Sequence, residues 1–383
     1  MALASGRGGY LWPEQKISSL VEYHMPARKE PRSYLITGGA GFVGSSIALR
    51  LKATEPDAKV LALDNLKRRG SELNLPRLRA AGVEFMHGDV REHSDLKGIP
   101  KIDALIECSA EPSVVAGYQG GAQYVQDTNL MGTLNCLDLV ARDKADLLFL
   151  STSRVYPIAA INGMCSELPD RFTIDQAKTP VGASIAGIGE NFPLAGARTL
   201  YGATKLASEL MIEEYANMHG FRYVVNRCGV IAGPWQMGKT DQGFILLWLA
   251  RHHWKLPLSY IGFGGKGKQV RDVLHVEDLC DLVLLQLGDM ELVNAQVLNV
   301  GGGVDNSDTL HGFTDRCASL TGNYLEIGSD GNDRPGDIKL YVTDNTRVKG
   351  LTGWTPKRNI DEVLSDSFAW LRQHEDQLRV IVA

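Results

Sequence analysis

Between Thr37 and Gly44 the chain reads Thr-Gly-Gly-Ala-Gly-Phe-Val-Gly, and few folds admit such a run in such surroundings. Ser33–Thr37 (Ser-Tyr-Leu-Ile-Thr) reads as a short buried strand. From Phe42 to Ala53 apolar residues recur at helical spacing: Phe42, Val43, Ile47, Ala48 and Leu51. The glycines therefore lie where a strand turns into a helix. Gly39, Gly41 and Gly44 fit G-x-G-x-x-G, and Gly38, Gly41 and Gly44 fit a three-residue spacing. Glycine permits the tight turn and lets backbone approach a pyrophosphate seated on a helix N-terminus. Lys59–Leu63 reads as the next strand and ends at Asp64, 20 positions after Gly44. A carboxylate there would hydrogen-bond the adenosine ribose hydroxyls. A bare glycine pattern is often only a turn, but strand, helix and acid in this order predict a dinucleotide site. Asp64 favours NAD, because it would repel a 2′-phosphate. Lys67, Arg68 and Arg69 follow closely and could attract that phosphate or form a solvated loop face.

A second short segment is Tyr201-Gly202-Ala203-Thr204-Lys205. A free phenol ionises near pH 10, so proton transfer near neutrality needs a neighbouring positive charge. Lys205 lies four positions after Tyr201, on the same face of a helix whose apolar stripe continues through Leu206, Leu210, Met211 and Tyr215. Alone, this spacing is ordinary on helix surfaces. Here it follows a dinucleotide turn and a strand-like Leu147–Leu150 that runs into Ser151-Thr152-Ser153, a source of a hydroxyl for a substrate oxygen. Any one Ser or Thr in that run could equally be a loop hydrogen-bonder. Glycine turn and Tyr/Lys pair together point to redox chemistry on a carbon bearing a hydroxyl.

Strand-like runs at Ser33–Thr37, Lys59–Leu63, Glu84–His87, Ala104–Cys108, Leu147–Ser151 and Arg222–Cys228 alternate with helical ones. This predicts an α/β, Rossmann-type doubly wound parallel sheet. From about Gly229 the pattern becomes irregular, with helical runs at Val276–Gly288 and Ile360–His374, as in a smaller C-terminal substrate-binding lobe. The expected division is an N-terminal extension over residues 1–31, a mainly cofactor-binding domain over 32–228 and a mainly substrate-binding lobe over 229–383, with elements free to interleave. At 383 residues the chain can bury a large core. A net charge of −5 argues against a nucleic-acid partner. No apolar run reaches membrane-spanning length, and the first 30 residues lack an h-region, so a cytoplasmic location is expected. The cysteines at 108, 136, 165, 228, 280 and 317 are scattered without C-x-x-C and read as reduced thiols. His252 and His253 are adjacent and point apart on a helix, so no metal site is expected.

With these motifs the chain resembles the extended short-chain dehydrogenases/reductases that act on nucleotide sugars, from about Tyr34 to about Leu371. Leu105-Ile106-Glu107-Cys108-Ser109-Ala110 resembles the segment that passes under the cofactor, with Glu-Cys-Ser-Ala where His-Leu-Ala-Ala is usual. Gly88-Asp89-Val90-Arg91 resembles the adenine-contacting Gly-Asp. Asn129 matches the structural asparagine, and Ser151-Thr152-Ser153-Arg154-Val155-Tyr156 resembles the segment with the catalytic hydroxyl. Within the family the match is to the CDP-paratose/CDP-tyvelose 2-epimerases, through Asp64–Gly70, Asp241-Gln242-Gly243 and Gly265–His275. Departures are Arg198-Thr199-Leu200 where Ser-Pro usually precedes the tyrosine, Pro157 where Gly follows Tyr156, and an insertion-like stretch at 159–189, a lid or a longer loop.

The resemblance implies NAD, a nucleotide-diphosphate sugar as substrate, and a homodimer. It implies Tyr201 as acid–base, Lys205 as the residue that lowers the phenol pKa and binds the cofactor ribose, and Thr152 (or Ser151) as the hydroxyl. Cofactor contacts are expected from Gly38, Gly39, Gly41, Phe42, Val43, Gly44, Asp64, Asn65, Asp89, Val90, Ser109, Ala110 and Asn129. Substrate contacts are expected from Thr152, Ser153, Arg227, Gln269, Arg271 and Arg334. Epimerisation at C2 of a CDP-sugar is the implied reaction, with C4 of a UDP-sugar as the close alternative. The 4,6-dehydratases place Asp-Glu directly after the catalytic threonine; Ser153 and Arg154 stand there. A binding-only protein on this fold would be expected to have lost Tyr201 or Lys205.

Overall fold

A computed structural model describes residues 30–118, 120–238 and 243–382. Nearly all of the expected N-terminal extension, and Asp241 and Gln242, lie outside the described residues. The central sheet comprises β1 (Ser33–Thr37), β2 (Lys59–Asp64), β3 (Glu84–His87), β4 (Ala104–Glu107), β5 (Asp146–Thr152), β6 (Tyr223–Cys228) and β7 (Gln296–Val300). Its order is 7-6-5-4-1-2-3, and every pairing is parallel. The first six strands lie where the apolar runs predict them, within a residue at most ends. The seventh is an addition: Gln-Val-Leu-Asn-Val is short and half polar, and it pairs with β6 from the far half of the chain. The sheet is thus completed by a strand from beyond residue 229.

The longer helices are α1 (Phe42–Thr54), α2 (Gly132–Asp143), α3 (Leu200–His219), α4 (Phe244–Trp254), α5 (Val276–Gly288), α6 (Leu310–Thr321) and α7 (Ile360–Gln373). Successive residues of a strand face opposite sides, and both sides are apolar here. Tyr34, Ile36, Ala62, Ile106 and Leu148 pack on one face with α1 and α5. Leu35, Leu63, Leu105, Leu147 and Phe149 pack on the other with α2 and α3. This is the layered solution that a parallel sheet buried on both faces requires. Because α5 also comes from the later half, one face of the sheet is covered by residues beyond 229.

Away from the sheet, α4, α6 and α7 enclose a separate core around Ile245, Leu249, Phe313, Cys317, Val363 and Leu364. Helix α4 gives little periodic signal because Ile245 to Ala250 are all buried; it is wrapped on every side. Val270–His275 forms a separate small sheet with Val230–Ala232, Ser307–Thr309 and Leu340–Tyr341. The stretch 159–189 contains the antiparallel pairs Cys165–Glu167/Phe172–Ile174 and Ala183–Ser184/Gly187–Ile188. Ile161, Phe172 and Ile188 are buried with Tyr156, Phe192 and Tyr341, so this stretch is part of a core and not a loose loop. All six cysteines are free thiols. Among the described residues no helix is long and apolar enough to cross a membrane.

Candidate active site

A cleft of about 510 Å³ opens at the C-terminal ends of β1, β2, β4, β5 and β6. Parallel sheets bind ligands at this edge, where strand order reverses. Here the reversal falls between β1 and β4. Gly38, Gly41, Phe42, Val43 and Gly44 line it at the start of α1. Gly38 has φ +64°, and a Cβ on Gly44 would collide with the Gly38 carbonyl oxygen. The turn therefore closes on itself as side-chain-bearing residues could not. Gly39 lies behind the cleft wall, where an added Cβ would sit 2.6 Å from that of Ala62; its glycine serves helix–strand packing.

Asp64 lines the cleft at the end of β2. Its carboxylate receives the N–H groups of Leu66 at 2.8 Å and Ala40 at 3.1 Å, which ties it to the glycine turn. Burial pushes its pKa up, and those N–H groups oppose the shift. Asn65, Val90, Ser109 and Ala110 also line the cleft. Asp89 instead takes the Asn65 amide at 2.8 Å and Arg91 at 2.6 Å, so it acts through Asn65. Lys67 and Arg68 are at the wall, but Lys67 lies 3.5 Å over the Tyr124 ring and Arg68 donates to the Met237 carbonyl. Asn129 is buried beneath, its side chain bonding both the N–H (2.7 Å) and the C=O (3.1 Å) of Glu111. The cradle of glycine backbone at a helix start, with a carboxylate 20 residues on, fits a dinucleotide.

Tyr201 and Thr152 face each other across the other end of the cleft. Tyr201 is the second residue of α3, which begins at an N-cap, Thr199, whose hydroxyl accepts the Gly202 N–H. Gly202 is required there: a Cβ would run into the Arg154 carbonyl, so α3 rests directly on the segment after β5. The structure also separates the two candidate hydroxyls. Ser151 donates to the buried Glu209 carboxylate, whereas Thr152 Oγ1 accepts the Arg154 N–H at 3.1 Å and also engages the Tyr201 phenol.

The helical spacing predicts an ammonium near the phenol. Lys205 is 1 % exposed, with Nζ 3.7 Å over the Phe149 ring, and Glu107 and Glu209 support its charge against burial. The Tyr201 phenol is pushed up to about 12 by burial, while Thr152 and Arg154 pull it down. Strand β5 offers the lysine an aromatic seat one turn below Tyr201, and the carboxylates around it attract the ammonium.

Three expected substrate contacts have protein partners, and a fourth lies off the cleft lining. Arg227 is buried in a 2.7 Å pair with Glu209. Gln269 Nε2 donates to the Ile261 carbonyl at 2.8 Å. Arg271 pairs with Asp337 at 2.9 Å, and Arg334 is not at the cleft surface. Sequence reasoning missed Arg154 and Glu111, which do line the cleft. Arg154 donates to the Gly336 carbonyl at 3.1 Å. Burial and the nearby Arg271 bring its pKa down to about 10, with Asp337 opposing. Its place two residues after Thr152 was the available signal.

Residues 34–301 match the NAD dependent epimerase/dehydratase family. The chain is 27% identical over 351 residues to a CDP-paratose 2-epimerase of Salmonella typhi, covering 88% of this chain and 98% of that one. It is also 27% identical over 348 residues to a dTDP-glucose 4,6-dehydratase of an Actinoplanes species, covering 88% and 97%. Among solved structures, the UDP-glucuronic acid 4-epimerase of Bacillus cereus, in complex with UDP-glucuronic acid and NAD, superposes with a TM-score of 0.73 at 20% identity, covering 89% of this chain and 99% of that one. Equal identity to an epimerase and a dehydratase means that overall similarity does not choose between the two reactions.

Proposed function

The chain belongs to the NAD dependent epimerase/dehydratase family, and we propose that it is an epimerase of a nucleotide-diphosphate sugar, inverting C2 of a CDP-sugar. The protein is an enzyme and its cofactor is NAD, for which the glycine cradle and Asp64 are built. The observation that carries the epimerase reading is the segment after Thr152. Ser153 and Arg154 follow it at the cleft, and neither can act as the carboxylic acid or carboxylate that eliminating water from a sugar requires. Among the described residues the cleft-lining carboxylates are Asp64, tied to the glycine turn, and Glu111, whose Oε1 accepts the Ser113 N–H at 3.2 Å.

NAD supplies a group that accepts a hydride from carbon and returns it. In this reading the charge of Lys205, one helical turn below, favours the Tyr201 phenolate, which takes the proton from the hydroxyl of that carbon and later gives it back. The Thr152 hydroxyl holds the same oxygen and keeps it near the phenol. Inversion follows when the keto sugar turns its other face before hydrogen returns. Arg154 and Arg271 lie close together beside Asp337, with Asp272 also acting on Arg271, and two neighbouring guanidinium groups suit a diphosphate. We assign the later part of the chain, around α4, α6 and α7, to the substrate's nucleotide and expect a homodimer.

The test is incubation with CDP-, UDP-, GDP- and dTDP-sugars in deuterated water, followed by NMR. The expected product is the C2 epimer of a CDP-sugar with almost no carbon-bound deuterium, because the transferred hydrogen never meets solvent. Inversion at C4 of a UDP-sugar would move the activity to the alternative substrate. A 4-keto-6-deoxy product with deuterium at C5 or C6 would establish dehydration, with Glu111 as the carboxylate at hand.

A further inference from the structure

Glu107 ends β4 beneath the cleft and is 1 % exposed. In the sheet register it is flanked by Thr37 on β1 and Phe149 on β5. Its Oε1 receives the Thr133 hydroxyl from α2 at 2.5 Å, while its Oε2 has no partner. A buried carboxylate with one oxygen unmatched must carry a proton or be balanced by a nearby cation. The cation is at hand. Lys205 Nζ sits 3.7 Å over the ring of Phe149, the residue beside Glu107 in the pairing of β4 and β5. Among the described residues no direct ion pair joins the two, so their attraction acts across the floor of the site.

The other groups around this floor are already matched or neutral. Glu209, one turn along α3 from Lys205, is paired with Arg227 at 2.7 Å and receives the Ser151 hydroxyl. Cys108 and Cys228 face the ammonium; burial raises both thiols, Cys228 to about 12. Cys136 of α2 faces Glu107 and is raised by burial in the same way. All three are neutral thiols near pH 7, which leaves Glu107 and Lys205 as the two charges without another match.

We propose that Glu107 is the counter-ion of Lys205, a positioning residue that keeps the lysine charged and seated over Phe149 beneath Tyr201. The proposal rests on reading Lys205 as the cation of the active site. The physical logic has two halves. Burial lowers the ammonium's pKa, and Glu107 is the foremost group opposing that. Burial raises the Glu107 carboxyl, and Lys205 is the foremost group opposing that. Each holds the other in its charged form, and at this position a neutral side chain would leave a buried ammonium that loses its proton.

The test is a titration of protein labelled with 13C at lysine Cε, read by NMR, with the Lys205 signal identified by its absence in Lys205→Met. Removing the carboxylate removes the support for the ammonium, so in Glu107→Gln the Lys205 midpoint is expected to fall by at least about one pH unit, the lower end of the effect of an opposite charge a few Å away. Glu107→Asp should restore most of that shift. An unchanged midpoint in folded Glu107→Gln would overturn the proposal, since it would mean that Glu107 carries a proton or does not act on Lys205. Should Glu107→Gln not fold, Thr133→Val serves instead: it removes the hydrogen bond that favours the carboxylate and should also lower the midpoint. No movement there overturns the proposal equally. The titration needs no substrate, so it stands apart from the epimerase reading. A shifted lysine in a protein that turns over none of the sugars would refute the reaction and leave the counter-ion in place.

Discussion

Residue by residue, the site divides into groups that face the cleft and groups that hold them. Tyr201 is the first kind, and its substitution by Phe removes only the oxygen that moves the proton. Turnover is expected to fall at least about a hundredfold, the usual scale of acid–base catalysis, with cofactor binding retained; kcat and cofactor titration check both halves. The phenol's direction gives a second expectation. Burial raises it from 10 to about 12, so the neutral form persists as pH rises. Without cofactor, the difference in tyrosinate absorbance between wild type and Tyr201→Phe should show no Tyr201 ionisation below about pH 10, given an unperturbed phenol near that value. A midpoint near neutrality in the cofactor-free protein would show that Lys205 acts on the phenol more strongly than its seat over Phe149 implies. Arg227 illustrates the second kind: a cation that looks like an anion ligand in sequence is held by Glu209, both side chains being 6 % exposed or less.

At the scale of elements, the position of α3 is the sensitive variable. Three devices set it: the Thr199 cap, the contact of Gly202 with the Arg154 carbonyl, and Lys205 under β5. Gly202→Ala puts a methyl group onto backbone that cannot yield without moving Thr152 or Tyr201. Turnover is expected to drop well beyond the loss in Thr199→Ala, whose missing cap costs about 1 kcal/mol of stability. Paired measurements of kcat and thermal midpoint distinguish them: the cap variant loses mainly stability, and the glycine variant loses mainly rate. Helix α1 obeys the same logic at Gly44, where close approach of the turn, not helix propensity, demands glycine.

For the whole molecule, the interleaved topology has a consequence for folding. Strand β7 and helix α5 both follow residue 229 yet complete the sheet and cover one face of it. A fragment of residues 30–228 would expose Ile36, Ile47, Leu51 and Leu148 where α5 should lie. It is expected to aggregate or to unfold without a cooperative transition, whereas the full chain unfolds with its sheet intact until a main transition. Circular dichroism against urea for the fragment and the full chain checks this. A cooperatively folded, NAD-binding fragment would show that the sheet stands without its later elements.

The local code determined the first six strands, α1, α5 and α7, because each carries its own apolar period and its own stop. It also placed the cofactor cradle, since glycines, helix start and Asp64 lie within one strand–helix–strand unit. Tyr201 and Thr152 were legible from their segments as well. Only the tertiary structure decided which of the expected substrate contacts have protein partners. Arg227 and Arg271 pair with carboxylates 18 and 66 residues away and Gln269 bonds the Ile261 carbonyl, and no spacing announces a buried ion pair. It engaged the Ser151 hydroxyl with Glu209, a carboxylate 58 residues away. It brought β7 to the sheet and hid α4, which is surrounded on all sides and so lacks an amphipathic period. And it seated Lys205 by Phe149 and Glu107, a placement set by the register of two strands against a helix, which no single segment contains.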